Sequence, residues 1–131
     1  MKGIKFYGSG GLLYYYMGIA EFIQKNYNLD GLEFCGVSGG SIPAFLLSTK
    51  VNIRYIWDNS IIPWIYNNLS DNSPIFFSIF NPESLHLLLS YLNNVITHEH
   101  LIHINDSLSI KMTRITIFGY NQIYINNWES I

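Results

Sequence analysis

Charge is scarce in this chain. Lys, Arg, Asp and Glu make up 12% of its 131 residues, and the formal net charge is −2. A chain this apolar is neither a disordered tail nor an acidic linker. The seven Lys and Arg residues are scattered, so no basic face exists to neutralise phosphates, and nucleic acid is not expected as a partner. Cysteine is almost missing as well. Cys35 stands alone, which excludes an intramolecular disulfide and fits a reducing compartment. It sits in an apolar run and reads as a small buried hydrophobe. No uncharged apolar run reaches the roughly 18 residues of a membrane span. The start, Met1-Lys2-Gly3-Ile4-Lys5, opens into a strand-like segment without a secretory signal, which points to an intracellular protein.

Apolar residues fill much of what is present, at 49%, with ten Tyr, eight Phe and three Trp. The length suits one domain with one modest core. Most of the aromatic residues are expected inside it, and amphipathic rings at a membrane interface are the alternative use.

The patterning alternates between strands and helices. Ile4 to Tyr7 reads as a short strand, and Leu12 to Asn26 as a helix with Leu13, Met17, Ala20 and Ile23 on one face. Asn28 to Gly31 is a turn. Leu32 to Val37 is a second strand, whose apolar character on both faces suits a parallel sheet. A helix is expected from Gly40 to Thr49, with Pro43 in its first turn. Another is expected over Val51 to Asn68, interrupted by Pro63.

Ser70 to Pro74 reads as a loop. Asn81-Pro82-Glu83 starts a helix with an apolar stripe of Leu85, Leu88, Leu89, Leu92 and Ile96. A strand over Ser109 to Phe118, a turn at Gly119-Tyr120-Asn121 and a return strand over Gln122 to Ile125 make a hairpin. The order predicts an α/β fold with a mainly parallel sheet and no domain linker.

Two glycine-rich turns carry the chemistry. Gly36-x-Ser38-x-Gly40 matches a nucleophile elbow, in which a serine projects from a strained strand-to-helix turn and its neighbours must lack bulk. The five-residue pattern also occurs in ordinary turns. Its placement between a strand and a helix is the context that the chemistry requires. Gly8-Ser9-Gly10-Gly11 lies on the other strand-to-helix turn. Bare backbone N–H groups there fit a phosphate or the oxyanion of an acyl-transfer intermediate. The loop ends in Gly-Leu-Leu rather than Gly-Lys-Ser/Thr, and Leu13 breaks a dinucleotide fingerprint. Parallel neighbouring strands would bring both turns to one sheet edge.

Phe6 to Gly18 and Gly36-Val37-Ser38-Gly39-Gly40-Ser41 together resemble the N-terminal motifs of patatin-like phospholipases. Arg114-Ile115-Thr116 with Tyr124 to Ser130 resembles the hairpin before that family's last catalytic segment. The resemblance spans nearly the whole chain, strongest over residues 4 to 48. It implies an incomplete three-layer α/β domain over residues 1–131, truncated before the catalytic Asp segment. It also implies Ser38 as nucleophile, the backbone of Gly8, Ser9 and Gly10 as oxyanion hole, and Gly36 and Gly40 as the elbow glycines. The family uses a Ser–Asp dyad without histidine and needs no cofactor.

The chain departs from many members at Leu12 and Leu13, where they carry Arg and Gly. Its four Asp residues are Asp30, Asp58, Asp71 and Asp106. Only Asp30 precedes a glycine, and it comes before the elbow, so none takes the dyad role. The implied activity is hydrolysis of a lipid ester through an acyl-serine, with peripheral membrane contact left open. These 131 residues alone are expected to turn over little or nothing. A catalytically inactive relative that binds lipid or a partner is the alternative, and a phosphate-binding α/β protein a weaker one.

Other signals favour ordinary roles. His98-Glu99-His100-Leu101-Ile102-His103 lacks the His-Glu-x-x-His spacing, and a solvated helix start is preferred to a metal site. His86 reads as a surface residue. Tyr14, Tyr15 and Tyr16 are consecutive on a helix and point in different directions, so they form no single stripe. Ile75 to Phe80 reads as a buried segment or as a flap that meets lipid.

Overall fold

A computed structural model describes residues 2–9, 12–69, 82–102, 104, 107–116 and 119–125. The strands are β1 (Lys2–Phe6), β2 (Leu32–Val37), β3 (Leu108–Thr116) and β4 (Gly119–Ile125). The helices are α1 (Leu13–Asn26), α2 (Ser41–Thr49), α3 (Ile53–Ile56), α4 (Ile62–Leu69), α5 (Pro82–Val95) and α6 (His98–Ile102). The chain forms two compact units: Met1–Val51 with His98–Ile131, and Asn52–Thr97. The loop over residues 70–74 and the apolar segment over residues 75–80 lie outside the described residues.

The first unit is an α/β arrangement. Its sheet runs β1-β2-β3-β4, with the first three strands parallel and β4 antiparallel to β3. The register places Ile4 beside Phe34, Phe6 beside Gly36, and Phe34 beside Leu108. Side chains alternate across a strand, so these residues share one face. Phe6, Phe34 and Leu108 are buried there. The opposite face carries Lys5, Cys35 and Ser109 in register. Lys5 and Glu33 are exposed, and Cys35 and Ser109 are half-buried. The strand β2 therefore has one buried face and one half-buried to exposed face, which carries Glu33, Cys35 and Val37, rather than being buried on both sides, and Cys35 is not a core residue.

The helix α1 turns Leu13, Met17 and Ala20 inward, as its period predicts, and Ile23 is half-buried. It packs on α2, which packs on β2. The helix α2 is buried almost all round, from Pro43 and Ala44 through Leu46, Leu47, Ser48 and Thr49. Its two buried hydroxyls are satisfied locally. Ser48 donates to the carbonyl of Phe45 at 2.8 Å, and Thr49 to those of Phe45 and Leu46 at 3.0 and 3.1 Å.

Lys50 ends α2 in the left-handed conformation, at φ 57°. Its ammonium pairs with Asp30 in the turn before β2. That turn closes with the Asp30 N–H donating to Asn28 Oδ1 at 2.9 Å and with Gly31 at φ 70°. The hydrogen bond and charge of Lys50 hold the Asp30 carboxyl below its ordinary range. The hairpin is tighter than its sequence suggests. Gly119, Tyr120 and Asn121 pair with Thr116, Ile115 and Arg114, so they belong to β4 rather than to the turn.

The elements described in the second unit are helices. The Asn52 side chain accepts from the Tyr55 N–H at 3.0 Å and caps α3. Pro63 does not break the segment that follows. A single π turn, Trp57–Ile61, joins α3 to α4, and the Ile62 N–H donates back to the Trp57 carbonyl. Pro63 has no N–H, and in a regular α-helix its ring crowds the carbonyl four residues earlier. The wider turn just before it accommodates both facts.

In α5, Pro82 is the first helical residue and Glu83 lies in the first turn. Ser84, Leu88 and Leu92 are buried at i, i+4 and i+8, whereas Leu85 and Leu89 of the expected stripe are exposed, as is Leu87. Burial, helped by Tyr55, raises the Tyr91 hydroxyl above its ordinary range. Among the described residues, no helix is long and apolar enough to cross a membrane.

Leu47 is fully buried and Ile102 is exposed, both in the first unit. Leu47→Ala is expected to lower unfolding free energy in urea by about 2–5 kcal/mol. Ile102→Ala should stay within about 0.5 kcal/mol. A smaller loss at Leu47 would mean that α2 is not the core helix described here.

Asp30 supplies a pH test. A carboxyl with a depressed folded pKa stabilises above its unfolded pKa and loses that contribution as pH falls through the folded value. The midpoint difference between wild type and Asp30→Asn should be small at neutral pH, because the pair is exposed. It should shrink toward zero as the pH falls below the ordinary carboxyl range and Asp30 becomes protonated. A difference that grows in acid would contradict the pairing.

Candidate active site

Val37 closes β2 in an extended conformation, at φ −127° and ψ 126°. Ser38 then takes φ 52°. That region is disfavoured for a residue with a Cβ, at a cost of roughly 1–2 kcal/mol. A single 3-10 turn, Ser38–Gly40, follows, with the Ser41 N–H donating to the Ser38 carbonyl, and α2 begins at Ser41. One residue in the left-handed region thus converts strand into helix. It leaves Ser38 exposed at the C-terminal end of β2, by the positive end of the α2 dipole.

Glycine makes the turn geometrically feasible. A Cβ on Gly36 would strike the Ser41 Cα and lie 2.8 Å from the Gly40 carbonyl oxygen and 2.9 Å from the Ser41 nitrogen. Gly36 therefore lets the strand and the start of α2 pass, as expected for an elbow. Gly40 serves a different contact. A Cβ there would strike the carbonyl oxygen of Tyr7 and lie 2.6 Å from that of Phe6. The end of β1 thus rests on the elbow, and the loop after β1 is carried to Ser38.

Gly8 is the first residue of that loop to reach the serine. A Cβ on Gly8 would lie 3.7 Å from the Ser38 Cβ and 4.0 Å from the Val37 oxygen, which is ordinary contact. Ser9 is buried, and its carbonyl accepts from the Leu12 N–H at 2.9 Å, which bends the loop into α1. Gly10 and Gly11 lie outside the described residues. Of the expected oxyanion residues, Gly8 and Ser9 are thus placed in the loop that meets the elbow, with Gly8 beside Ser38 itself.

The acids stand elsewhere. Asp30 precedes the N-terminal end of β2, whereas Ser38 follows its C-terminal end, so a six-residue strand of roughly 20 Å separates them. Asp58 belongs to the second unit, where it pairs with Arg54 at 3.0 Å. Asp71 and Asp106 lie outside the described residues, as does His103. His98 begins α6 and is exposed, which agrees with a solvated helix start, and His86 is exposed on α5. Among the described residues, no group of three or more His, Cys, Asp or Glu could hold a metal ion.

Two features have no local signal in the sequence. One is that Gly40 faces β1 rather than β2, which depends on strand order. The other is the Asp30–Lys50 pair, whose members are 20 residues apart. No protein-family model, curated protein or solved structure matches the chain.

The glycines separate by tolerance. Gly36→Ala and Gly40→Ala should each destabilise the chain strongly in urea unfolding, because the blocking atoms are backbone. Gly8→Ala should leave it folded. Ser38→Gly should be more stable than Ser38→Ala by roughly 1 kcal/mol, since glycine relieves the left-handed conformation. A stable Gly40→Ala would be incompatible with the contact to β1.

Proposed function

We propose that this chain is a serine acyl hydrolase of the patatin-like type, acting on a lipid ester through Ser38. The observation that carries this reading is the left-handed Ser38, exposed at the C-terminal end of a parallel strand with Gly8 against it. A serine is held in a disfavoured conformation mainly where the surrounding fold needs it there. The wider three-layer architecture of that family belongs to the same proposal.

In the proposed reaction, the Ser38 hydroxyl adds to the ester carbonyl and gives its proton to a base. The backbone N–H groups of Gly8, Ser9 and Gly10 stabilise the oxyanion. The tetrahedral intermediate collapses to an acyl-serine and the alcohol, which takes up the proton. Water then releases the carboxylic acid and restores Ser38. Base assistance is worth about a hundred- to ten-thousandfold. Asp30 cannot supply it, because it lies at the far end of β2 and is paired with Lys50.

The engagement of Asp30 and Asp58 with Lys50 and Arg54 favours a second reading, a catalytically inactive relative that binds lipid or a partner. A fluorophosphonate probe, applied to a version of the chain that carries the downstream Asp segment the resemblance implies, separates the two. Labelling of the chain that is lost in Ser38→Ala and kept in Ser41→Ala supports the hydrolase. Equal labelling of both variants would remove Ser38 from the nucleophile role. No labelling at all would favour the binding module.

A further inference from the structure

The helix α1 has two apolar faces. Its buried stripe is Leu13, Met17 and Ala20. At about 100° per residue, Tyr15 and Phe22 point almost directly away from that stripe, with Ile19 between them. Tyr15 is 66% exposed and Phe22 59%. Leu12, just before the helix, is 59% exposed, and Tyr27, just after it, is 62% exposed. The Tyr27 ring stands edge-on to Phe22 at 6.3 Å, and Tyr15 contacts Tyr16 at 6.4 Å. A surface helix normally turns polar residues to that side. This one presents Tyr15 and Phe22 there, with Gly18 and the half-buried Ile19 between them and Asn26 in the last turn.

We infer that this outer face of α1 docks on a lipid surface. Three observations select lipid over another protein. A helix of 14 residues is about 21 Å long and about 10 Å wide, a footprint on the order of 200 Å². A stable protein interface takes about 800 Å² per partner, so the stripe alone is too small for a second copy of the chain. Its chemistry is that of an interfacial helix: Leu and Phe to enter the acyl region, and Tyr hydroxyls at both ends for the headgroup layer. Lys25 is exposed and borders Phe22 within reach of an anionic headgroup, while Glu21 on the same flank is half-buried.

The stripe also begins at the right place. Leu12 follows the loop that meets Ser38, and α1 touches the Ser38–Gly40 turn. Docking through Leu12 would bring the loop that meets Ser38 near the source of a lipid ester. This last point rests on the hydrolase reading, whereas the docking itself does not.

Cosedimentation of the whole chain with phosphatidylcholine vesicles containing about a third phosphatidylserine tests the inference. Wild type should bind, and about tenfold more weakly in the double variant Tyr15→Ser/Phe22→Ser. Both positions are exposed, so the variant should fold, as circular dichroism will show. Phe22→Leu keeps an apolar group and should bind within about twofold of wild type. Tyr15→Ser alone should show an intermediate loss and serves if the double variant misfolds.

Failure of wild type to sediment, or equal binding by the serine variants, would overturn the docking surface. So would a wild-type dimer in sedimentation velocity that the serine variants convert to monomer. Ser38→Ala should bind vesicles like wild type. Docking without probe labelling would therefore count against the hydrolase alone, and labelling without docking against the lipid surface alone.

Discussion

Three stretches of backbone meet at Gly36 and Gly40, and neither position has room for a Cβ. The end of β2 passes the first residue of α2 at Gly36, and the carbonyls of Phe6 and Tyr7 press on Gly40. Every other feature of the candidate site follows from that approach. It seats α2 on β2, it aligns β1 with the elbow, and it brings Gly8 alongside Ser38. A methyl group at Gly40 would push β1 away and separate the two glycine turns. The strain at Ser38 belongs to the same constraint, because the chain must reverse within one residue to keep α2 close to the strand that precedes it.

Much of this was legible in the residues themselves. The strand Leu32–Val37, the helix over α1 and the serine at a strand-to-helix turn follow from short-range pattern and glycine spacing. The parallel pairing of β1 with β2 followed from their order. The errors have physical causes. The alternating burial of β2 was missed because Cys35 and Val37 are apolar yet line the open face. The stripe on α5 was misassigned because Leu85, Leu87, Leu88, Leu89 and Leu92 surround the helix, and period alone cannot choose which of them are buried. Pro63 reads as a break unless a π turn is foreseen, and no local residue announces one.

The helix α1 illustrates the same limit from the other side. Its inward face was found because Leu13, Met17 and Ala20 keep the period. Its outward face went unremarked because Tyr15 and Phe22 also fit an apolar helix buried in a larger core. Only exposure in three dimensions separates those cases. Asp30 is a related instance: followed by glycine, it resembles a catalytic motif in miniature, yet the fold gives it to Lys50 at the opposite end of the strand from Ser38.

The strands β2 and β3 are parallel neighbours, although Val37 and Leu108 are separated by the whole second unit. Bringing those strands together closes a loop of roughly 70 residues, and the entropy of closure grows only logarithmically with that length. The kinetic burden is larger than the thermodynamic one, since non-local strand pairing must wait for the chain ends to meet. The helices described in the inserted unit can each nucleate on the microsecond scale of short-range structure, whereas the packing of α5 on the Trp57–Ile61 turn joins residues more than 20 positions apart. The β2–β3 pairing, which extends the parallel sheet beyond β1 and β2, is therefore expected among the later steps of folding.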